Sequence, residues 1–490
     1  MDVYKNYING KFISSDSKRT FASLNPCNNR PIGYFQESNK KDLDNAVKSA
    51  WKGYKLWSNV PAPKRGEFLL NIAKLLRENK ERLSKTVTIE MGKIISEARG
   101  DVQEAIDVFE YMAGEGRRLF GVTTPSELRE KFCMTTRRPL GVTALITPWN
   151  FPIAIPSWKI SASLICGNSI IFKPSSDTPL CAYELVKLID KVGLPDGVIN
   201  FITGKGEEIG NEIIKNKNIS AISFTGSREV GQFITKNSPI NRIGLEMGGK
   251  NPIIVMDDAN LDLALEGVLW GGFGTTGQRC TAASRVIVHK DIKKEFEERL
   301  VKRTKKLILG DGLKENTDIG PLIAERAANK VDFYVNSGKK EGAQLLCGGK
   351  RANRPGFFYE PTIFTNVKKE MRIAQEEIFG PVISLITAKD IDEAIEICNN
   401  IEYGLSSSIY TENIRNAFKA IEKIEAGLTY VNSSTIGSEI HLPFGGVKGT
   451  GNGTREGGIL GIDEFSEIKT VYIDYSGRLQ KAQIDIVKLK

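Results

Sequence analysis

The chain has 490 residues, which is enough for two or three domains that each bury a core. Hydrophobic residues make up 40% and charged residues 26% of it, a balance typical of an ordinary globular protein. The net charge of +9 comes from lysines spread along the chain, without the aromatic and basic motif of a nucleic-acid binder. We therefore expect no nucleic-acid partner.

The chain contains seven cysteines, an odd number, and none of them forms a CxxC pair. This distribution disfavours both a disulfide framework and a zinc site, so we expect no bound metal. The first seven residues lack the apolar run of a signal peptide, and no apolar run in the chain approaches the length of a membrane span. We therefore expect a cytoplasmic protein that does not bind membranes.

The N-terminal part of the chain begins with a predicted hairpin, in which an Asn-Gly turn connects residues 7 and 12. From residue 41 to residue 118, apolar side chains recur at three- and four-residue intervals, which predicts helices. Residues 127–138 alternate more like a strand. The pattern changes after this point.

Beyond Pro139, short apolar strands alternate with amphipathic helices, which predicts an open, mainly parallel sheet covered on both faces. Ligands bind at the carboxyl ends of the strands in such sheets, where several turns would meet. A second alternating region extends from residue 251 to about residue 436, and residues 470–475 form a terminal strand that either caps a core or pairs with another subunit. The turns expected at the ligand edge are 148–151, 173–177 and 225–227.

Cys280 lies at the end of a glycine-rich run and directly follows Arg279. A free cysteine has a pKa near 8.5, so only about 3% of it is thiolate at pH 7. The two histidines, His289 and His441, are in stretches that do not resemble a catalytic loop. If Cys280 is a nucleophile, its thiolate must therefore be favoured by backbone N–H groups, by Arg279 or by a positively charged cofactor. This requirement predicts a nucleotide site elsewhere in the sequence.

Two candidate turns follow the first strands of the parallel region. Asn150 carries an amide that can donate to an oxyanion, although a rigid turn between two prolines explains the same segment and is the simpler interpretation of it alone. Lys173 places an ammonium group where a ribose or a phosphate could bind. The segment 224–231 is a strand, a tight turn and a helix start, which favours a pyrophosphate, but it lacks the GxGxxG spacing.

Glu246 precedes two glycines and lies 280 − 246 = 34 residues before Cys280, so the two residues belong to separate elements that could converge. A carboxylate facing a thioester can activate water for hydrolysis. A salt-bridged surface position is the ordinary alternative for a single glutamate.

Six motifs occur in the order and approximate spacing of the NAD(P)-dependent aldehyde dehydrogenases. They are PWNFP at 148–152, KPS at 173–175, FTGS at 224–227, LEMGGKNP at 245–252, GQRC at 277–280 and EEIFGP at 376–381. The chain resembles this family over nearly its whole length. The resemblance implies an α/β fold with a Rossmann-type cofactor domain, an α/β catalytic domain and a small β oligomerisation domain. It also implies a homotetramer or a homodimer.

The expected domain bounds follow from the same resemblance. The dinucleotide-binding domain is expected at 1–124 and 145–250, with a return at 437–467, and the catalytic domain at 251–436. The oligomerisation strands are expected at 125–144 and 468–490.

The resemblance implies a two-step oxidation. Cys280 attacks the aldehyde carbonyl, and the Asn150 side chain and the Cys280 backbone N–H hold the oxyanion. Hydride passes to the nicotinamide and leaves a thioester, which water activated by Glu246 hydrolyses to the acid. Glu246 also separates this chain from relatives that transfer the acyl group to coenzyme A, since these typically lack that glutamate.

The resemblance further implies a set of cofactor contacts, in which Lys173 and Glu377 bind ribose and Phe379 supports the nicotinamide. Members that prefer NAD often carry a glutamate where this chain has Ser176, and such a carboxylate about 4 Å from a 2′-phosphate would cost on the order of 1–4 kcal/mol. We therefore expect NADP to be preferred and NAD to be possible. The complete set of expected cofactor residues is Trp149, Lys173, Ser175, Ser176, Thr225, Gly226, Ser227, Glu377 and Phe379.

Arg279 is the residue expected to contact the substrate, because an arginine at this position binds an anionic tail in several relatives. The structural alternative is an arginine that ties down its own loop. Phe151, Trp158 and Phe444 are expected to complete the substrate site. Trp158 occupies the position at which succinic semialdehyde dehydrogenases carry a carboxylate-binding arginine.

Four further segments resemble the group of enzymes that oxidises 2,5-dioxopentanoate, so this aldehyde is the first expectation. Succinic semialdehyde, glyceraldehyde and glyceraldehyde 3-phosphate are the next expected substrates. A catalytically silent structural protein on the same fold is the alternative of another class, and the intact Cys280, Asn150 and Glu246 disfavour it. The four segments are 99–103, 116–119, 438–445 and 475–480.

Overall fold

The structure is a computed structural model that describes residues 1–240 and 242–484. The last six residues of the predicted 468–490 segment lie outside the described residues. The helices are α1 Lys40–Trp57, α2 Ala62–Glu78, α3 Lys80–Met91, α4 Ile95–Glu115, α5 Ala154–Cys166, α6 Pro179–Asp190, α7 Asn211–Ile214, α8 Arg228–Asn237, α9 Leu261–Phe273, α10 Lys293–Thr304, α11 Glu325–Lys340, α12 Arg372–Gln375, α13 Ile391–Asn399, α14 Ile414–Lys423 and α15 Leu460–Glu464.

The strands belong to two large sheets and three small ones. They are β1 Val3–Tyr4, β2 Asn6–Ile8, β3 Lys11–Ile13, β4 Thr20–Asn25, β5 Arg30–Gln36, β6 Thr123–Pro125, β7 Lys131–Pro139, β8 Val142–Ile146, β9 Ser169–Lys173, β10 Ile199–Phe201, β11 Ala221–Thr225, β12 Arg242–Glu246, β13 Asn251–Val255, β14 Ala283–His289, β15 Gln344–Cys347, β16 Thr362–Thr365, β17 Val382–Ala388, β18 Tyr403–Gly404, β19 Ser406–Tyr410, β20 Leu428–Val431, β21 Val447–Lys448 and β22 Ser466–Asp474.

The first large sheet has the strand order β12-β11-β8-β9-β10-β2-β3. The five strands from β12 to β10 are parallel, and the N-terminal hairpin adds β2 antiparallel to β10. Alternate residues of β9 enter different cores: Ile170 and Phe172 pack against α2 to α6, whereas Ile171 packs with α1. Helices therefore cover both faces, which explains why the central strands are apolar throughout.

The hairpin forms where the sequence predicts it, with Tyr7 opposite Phe12. Asn9 and Gly10 have positive φ values of 53° and 72°, as a two-residue type I′ turn requires. The later strand predicted from residue 127 begins only at Lys131, because Glu130 adopts a left-handed φ of 56° and breaks the extended backbone.

The second large sheet has the order β15-β16-β17-β14-β13-β19-β20, and all its pairs are parallel except β15 with β16. Its helix α10 ends at Thr304, and beyond this end Leu309 makes a parallel bridge with Ile319.

The third element of the architecture is the antiparallel sheet β22-β7-β6, in which β22 pairs with β7 along its full length. Along the part of the chain that the structure describes, no helix is long and apolar enough to cross a membrane.

Candidate active site

The carboxyl ends of β8, β11 and β12 lie side by side and bring three of the sequence motifs together. The turn with Asn150 follows β8, and Glu246 ends β12. Ser227 follows β11 and caps α8, where its Oγ accepts from the Val230 N–H at 3.4 Å. The edge of the first sheet thus collects an amide, a carboxylate and a helix N-terminus, as parallel sheets do at their ligand-binding edge.

A cavity of about 390 Å³, here called the first cavity, opens at this edge. Residues of α11 and of the segments that precede β14 and β17 of the second sheet close it on the other side. It is lined by Pro148, Trp149, Asn150, Ile155, Thr225, Gly226, Ser227, Met247, Gly248, Cys280, Ile323, Arg326, Ala327, Lys330, Glu377, Ile378 and Phe379.

A smaller cavity of about 120 Å³, here called the second cavity, adjoins the first. Cys280 is one of the residues that line both cavities. The second cavity is lined by Glu104, Phe151, Ile155, Trp158, Thr225, Glu246, Met247, Arg279, Cys280, Thr281, Gly437, Ser438, Phe444 and Glu456.

The loop that carries Cys280 is held from both sides. Thr275 and Thr276 adopt left-handed φ values of 51° and 59°, and the Thr275 N–H donates to the Glu97 carboxylate at 2.8 Å. The Asn251 side chain donates to the Cys280 carbonyl at 2.7 Å. Left-handed threonines are costly, so these contacts fix a backbone that the local sequence does not favour.

Burial, followed by the charges of the Glu377 and Glu246 carboxylates, raises the pKa of the Cys280 thiol to about 12, although the backbone N–H of Thr281 acts in the opposite direction. A neutral thiol is therefore the dominant form in this structure at neutral pH. A cation in the first cavity would lower the pKa of Cys280 and so oppose burial and the two carboxylates.

Asn150 is buried, and its Nδ2 donates to the Gln278 carbonyl at 3.1 Å. Gln278 is itself anchored, because its Oε1 accepts from the Ile323 N–H at 2.9 Å. These bonds place the Asn150 amide beside the loop that ends in Cys280. An N–H donor at this position can stabilise negative charge that develops on an atom bonded to the sulfur.

Glu246 is buried, and within the described residues neither of its carboxylate oxygens has a hydrogen-bond partner. Burial, and then repulsion by Glu456, raises its pKa well above the ordinary value, whereas Lys159 acts in the opposite direction. Lys159 donates to both Glu456 and the Ser223 hydroxyl. A carboxylate with free oxygens and a raised pKa is suited to general-base chemistry.

Most of the predicted cofactor residues line the first cavity. Trp149 and Phe379 meet edge to face with ring centroids 5.4 Å apart, and Phe379 has a φ of 60°. Glu377 accepts from the Gly249 N–H at 2.9 Å. The predicted residues on the wall are Trp149, Thr225, Gly226, Ser227, Glu377 and Phe379.

The structure does not bring Lys173, Ser175 or Ser176 to the wall of the first cavity. Lys173 is buried at the end of β9, where its Nζ donates to the Pro174 carbonyl at 3.0 Å and burial lowers its pKa to about 8. Ser176 lines a neighbouring cavity that shares Arg326 with the first one. These three residues therefore extend the same edge of the sheet, and their role remains a prediction.

Arg326 and Lys330 line the first cavity from α11 and were not among the residues predicted from the sequence. They are four residues apart and share one face of that helix. The spacing can be read from the sequence, but basic residues four positions apart are common in helices. No local signal shows which helix face lines a cavity at the edge of a sheet that is distant in sequence.

All four predicted substrate residues line the second cavity: Phe151, Trp158, Arg279 and Phe444. Arg279 donates through Nη2 to Glu97 at 3.0 Å and through Nε to the Thr275 hydroxyl at 2.9 Å. Its guanidinium therefore ties its own loop and also faces the cavity. The structural alternative and the binding role are compatible, because these two bonds leave Nη1 without a hydrogen-bond partner among the described residues.

Comparisons with known proteins agree with this geometry. The sequence pattern of the "Aldehyde dehydrogenase family" matches residues 12–471. The chain is 41% identical to an alpha-ketoglutaric semialdehyde dehydrogenase of Bacillus subtilis, over 96% of this chain and 98% of that protein. It is 40% identical to a 2,5-dioxopentanoate dehydrogenase of Saccharolobus solfataricus, over 93% and 96% of the two chains. A crystal structure of betaine aldehyde dehydrogenase from Staphylococcus aureus in complex with NAD+ superposes with a TM-score of 0.95 at 36% identity, and covers 97% of this chain and 96% of that one.

Proposed function

This chain belongs to the aldehyde dehydrogenase family and oxidises aldehydes with a nicotinamide cofactor; from that premise we propose that its substrate carries an anionic tail and leaves as the carboxylic acid. The observation that carries the proposal is the position of Cys280 on the wall of two adjoining cavities. One cavity presents the expected cofactor residues, and the other presents Arg279 and Glu246. A nucleophile between them can face substrate on one side and oxidant on the other.

The residues of the first cavity fit a dinucleotide. The Trp149 and Phe379 rings offer apolar surface against which a pyridine ring can pack, and Glu377 offers an acceptor for ribose hydroxyls. The N-terminus of α8 and the two basic side chains of α11 suit a pyrophosphate. When bound, the cofactor supplies the acceptor for the electron pair and the hydrogen removed from the substrate carbon.

Cys280 forms the bond to the substrate in this proposal. Its thiolate attacks the aldehyde carbon, a C–S bond forms, and the carbonyl π electrons move to the oxygen. The Asn150 amide and the Cys280 N–H stabilise that oxyanion, and loss of one such donor typically costs about 10²–10³ in rate. After oxidation, the acyl group remains on the sulfur as a thioester.

Glu246 completes the reaction by removing a proton from the water that attacks the thioester. The Cys280 thiolate leaves as the C–S bond breaks, and the acid is released. The free oxygens of Glu246 in the second cavity support this role.

Two observations support 2,5-dioxopentanoate as the substrate. Relatives that act on this compound by name match nearly the full chain. In addition, Arg279 faces the second cavity with an unbonded guanidinium nitrogen that can bind a tail carboxylate. Succinic semialdehyde is less favoured, because Trp158 fills the place of the arginine that such enzymes carry, and donates to Glu104 instead.

We propose that NADP is preferred over NAD. Ser176 places no carboxylate where a 2′-phosphate would bind, and Lys173 supplies a cation nearby. Asp177, the nearest carboxylate along the chain, is paired with Arg326. A kcat/KM at least tenfold higher with NAD than with NADP would contradict this preference.

The test of the function is a set of initial rates with 2,5-dioxopentanoate, succinic semialdehyde and neutral aldehydes, each with NADP and with NAD. We expect the highest kcat/KM for 2,5-dioxopentanoate with NADP, and the free acid rather than a coenzyme A ester as product. The Arg279→Ala variant should raise KM for anionic aldehydes far more than for neutral ones. Equal effects on both classes would remove Arg279 as the residue that recognises the tail.

We also propose a homotetramer or a homodimer in the cytoplasm. Among the described residues, β22 is an edge strand with nine residues, and it exposes Ile468, Tyr472 and Ile473. Long apolar edges of this kind tend to pair with another chain. All seven cysteines are free, which suits a reducing compartment. Light scattering of the wild type and of an Ile468→Lys variant tests the assembly, and an unchanged mass in the variant would exclude this edge as the interface.

A further inference from the structure

Glu104 lines the second cavity together with Cys280 and Arg279. It belongs to α4, and its Oε1 accepts from the indole N–H of Trp158 at 2.9 Å. The carboxyl group is therefore held in a fixed place on the wall that a bound aldehyde tail would touch. None of the six family motifs contains this residue, and no part of the proposed reaction uses it.

The charges around Glu104 are already committed to other partners. Lys93 donates to Asp101 at 2.9 Å, and both side chains are fully buried. Arg279 is paired with Glu97 at 3.0 Å. Within residues 1–240 and 242–484, no lysine or arginine forms an ion pair with Glu104.

A carboxyl group in this setting holds its proton more strongly than usual. Burial, followed by the charge of Asp101, raises the pKa of Glu104 to about 7, although the Trp158 hydrogen bond and the charges of Lys93 and Arg279 act in the opposite direction. Glu246 and Glu456 face the same cavity. An anionic ligand beside Glu104 would add a like charge and favour the protonated form further.

We propose that Glu104 selects aldehydes by the charge of their tails, donating its O–H to a tail carboxylate when protonated and repelling that carboxylate when ionised. The proposal rests on the proposed function, since it assumes that the second cavity holds the aldehyde tail. In the protonated state, Glu104 and the free nitrogen of Arg279 supply two donors to one carboxylate. In the ionised state, the same wall favours neutral or cationic tails.

A pH-dependent selectivity follows. Binding of an anionic aldehyde takes up a proton at Glu104, so its kcat/KM should fall above pH 7 by up to about tenfold per pH unit. Binding of a neutral aldehyde takes up no proton at Glu104. Titration of Cys280 and Glu246 affects the chemistry of both substrates and cancels in the ratio of the two kcat/KM values. The comparison with a variant that lacks the Glu104 carboxylate then separates the effect of Glu104 on the tail from that of Glu246.

The experiment measures this ratio for 2,5-dioxopentanoate over pentanal, a neutral aldehyde of the same chain length, between pH 6 and pH 9. In the wild type, the ratio should fall at least about tenfold over this range. The Glu104→Gln variant keeps an acceptor for Trp158 but cannot ionise, so its ratio should fall with pH far less than the wild-type ratio, by no more than the repulsion from Glu246 in the same cavity causes. Glu110→Gln, at a partly exposed position on the same helix where Glu110 pairs with Arg77, is the matched control and should behave as the wild type.

A second variant distinguishes the proposed role from a structural one. Trp158→Phe removes the N–H donor that favours the ionised form of Glu104, so the midpoint of the pH profile should move to higher pH. A flat ratio in the wild type, or the same slope in wild type and Glu104→Gln, would overturn the proposal.

Inhibition by glutarate separates this proposal from the proposed substrate. Glutarate carries the anionic tail without an aldehyde, and its inhibition of pentanal oxidation should weaken as pH rises in the wild type but not in Glu104→Gln. If 2,5-dioxopentanoate is not oxidised at any pH while pentanal is, the substrate assignment fails. The glutarate profile then still decides the role of Glu104, because a pH-independent inhibition constant contradicts it.

Discussion

Lys159 and Glu456 form a buried ion pair beside Glu246, with 1% and 8% of their side chains exposed. The two members of the pair act on Glu246 in opposite directions: the Glu456 carboxylate raises the pKa of Glu246, and the Lys159 ammonium lowers it. The pair therefore adjusts the proton affinity of the base that we assign to thioester hydrolysis. Its members lie on α5 and on the segment before α15, far apart in the sequence.

Replacement of Glu456 by glutamine should shift the pH profile of hydrolysis to lower pH. The change removes a negative charge that raises the pKa of Glu246, so the base ionises at lower pH than in the wild type. The profile of steady-state kcat against pH measures the shift under conditions in which hydrolysis limits turnover. A shift to higher pH would contradict the assigned electrostatics.

Replacement of Glu246 by glutamine should stop the reaction at the thioester. Because oxidation precedes hydrolysis, we expect a burst of about one equivalent of reduced nicotinamide per active site, followed by slow turnover. Mass spectrometry of the quenched protein should find the acyl adduct on Cys280. The Glu212→Gln variant, at a partly exposed position far from Cys280 in the sequence, serves as the control. Loss of the burst would place Glu246 in the oxidation step instead.

Replacement of Glu377 by glutamine should make Cys280 more reactive in the absence of cofactor. Among the charges that raise the pKa of this thiol, Glu377 contributes most, so its removal lowers the pKa and increases the thiolate fraction about tenfold for each unit. The rate of iodoacetamide modification against pH measures this change, with Cys280→Ser as the blank. Oxidised cofactor should accelerate the reaction in the wild type, because its pyridinium carries a positive charge. An unchanged or slower rate in Glu377→Gln would show that this carboxylate does not control the thiol.

Replacement of Asp101 by alanine should destabilise the protein by about 3–5 kcal/mol, because it leaves the Lys93 ammonium buried without its partner. Asp101 also accepts from the Ala154 N–H at 2.7 Å, at the start of the helix that follows the Asn150 turn. Urea denaturation measures the change, and Glu110→Ala on the same helix, which removes only the partly exposed ion pair with Arg77, should cost no more than about 1 kcal/mol. A cost below about 1 kcal/mol would exclude a structural role for the pair.

The sequence by itself determined the α/β architecture and the six motifs that resemble the aldehyde dehydrogenases. Short apolar strands between amphipathic helices can bury their surfaces in few ways, so local periodicity was enough to place the Asn150 turn and the 225–227 turn at the same sheet edge. The family comparison then confirmed the class of enzyme. Cys280 and Arg279 could also be predicted from the sequence, because both belong to the GQRC motif.

Only the tertiary structure decided which other side chains reach these motifs. Glu104 and Lys330 lie on helices. The sequence of a helix predicts which of its faces is apolar, but not which cavity its residues line. The raised pKa values of Cys280 and Glu246 also depend on burial and on carboxylates from distant segments. Periodicity records local geometry, whereas cavity walls and electrostatic fields result from long-range packing, and for that reason the sequence contained no local signal for them.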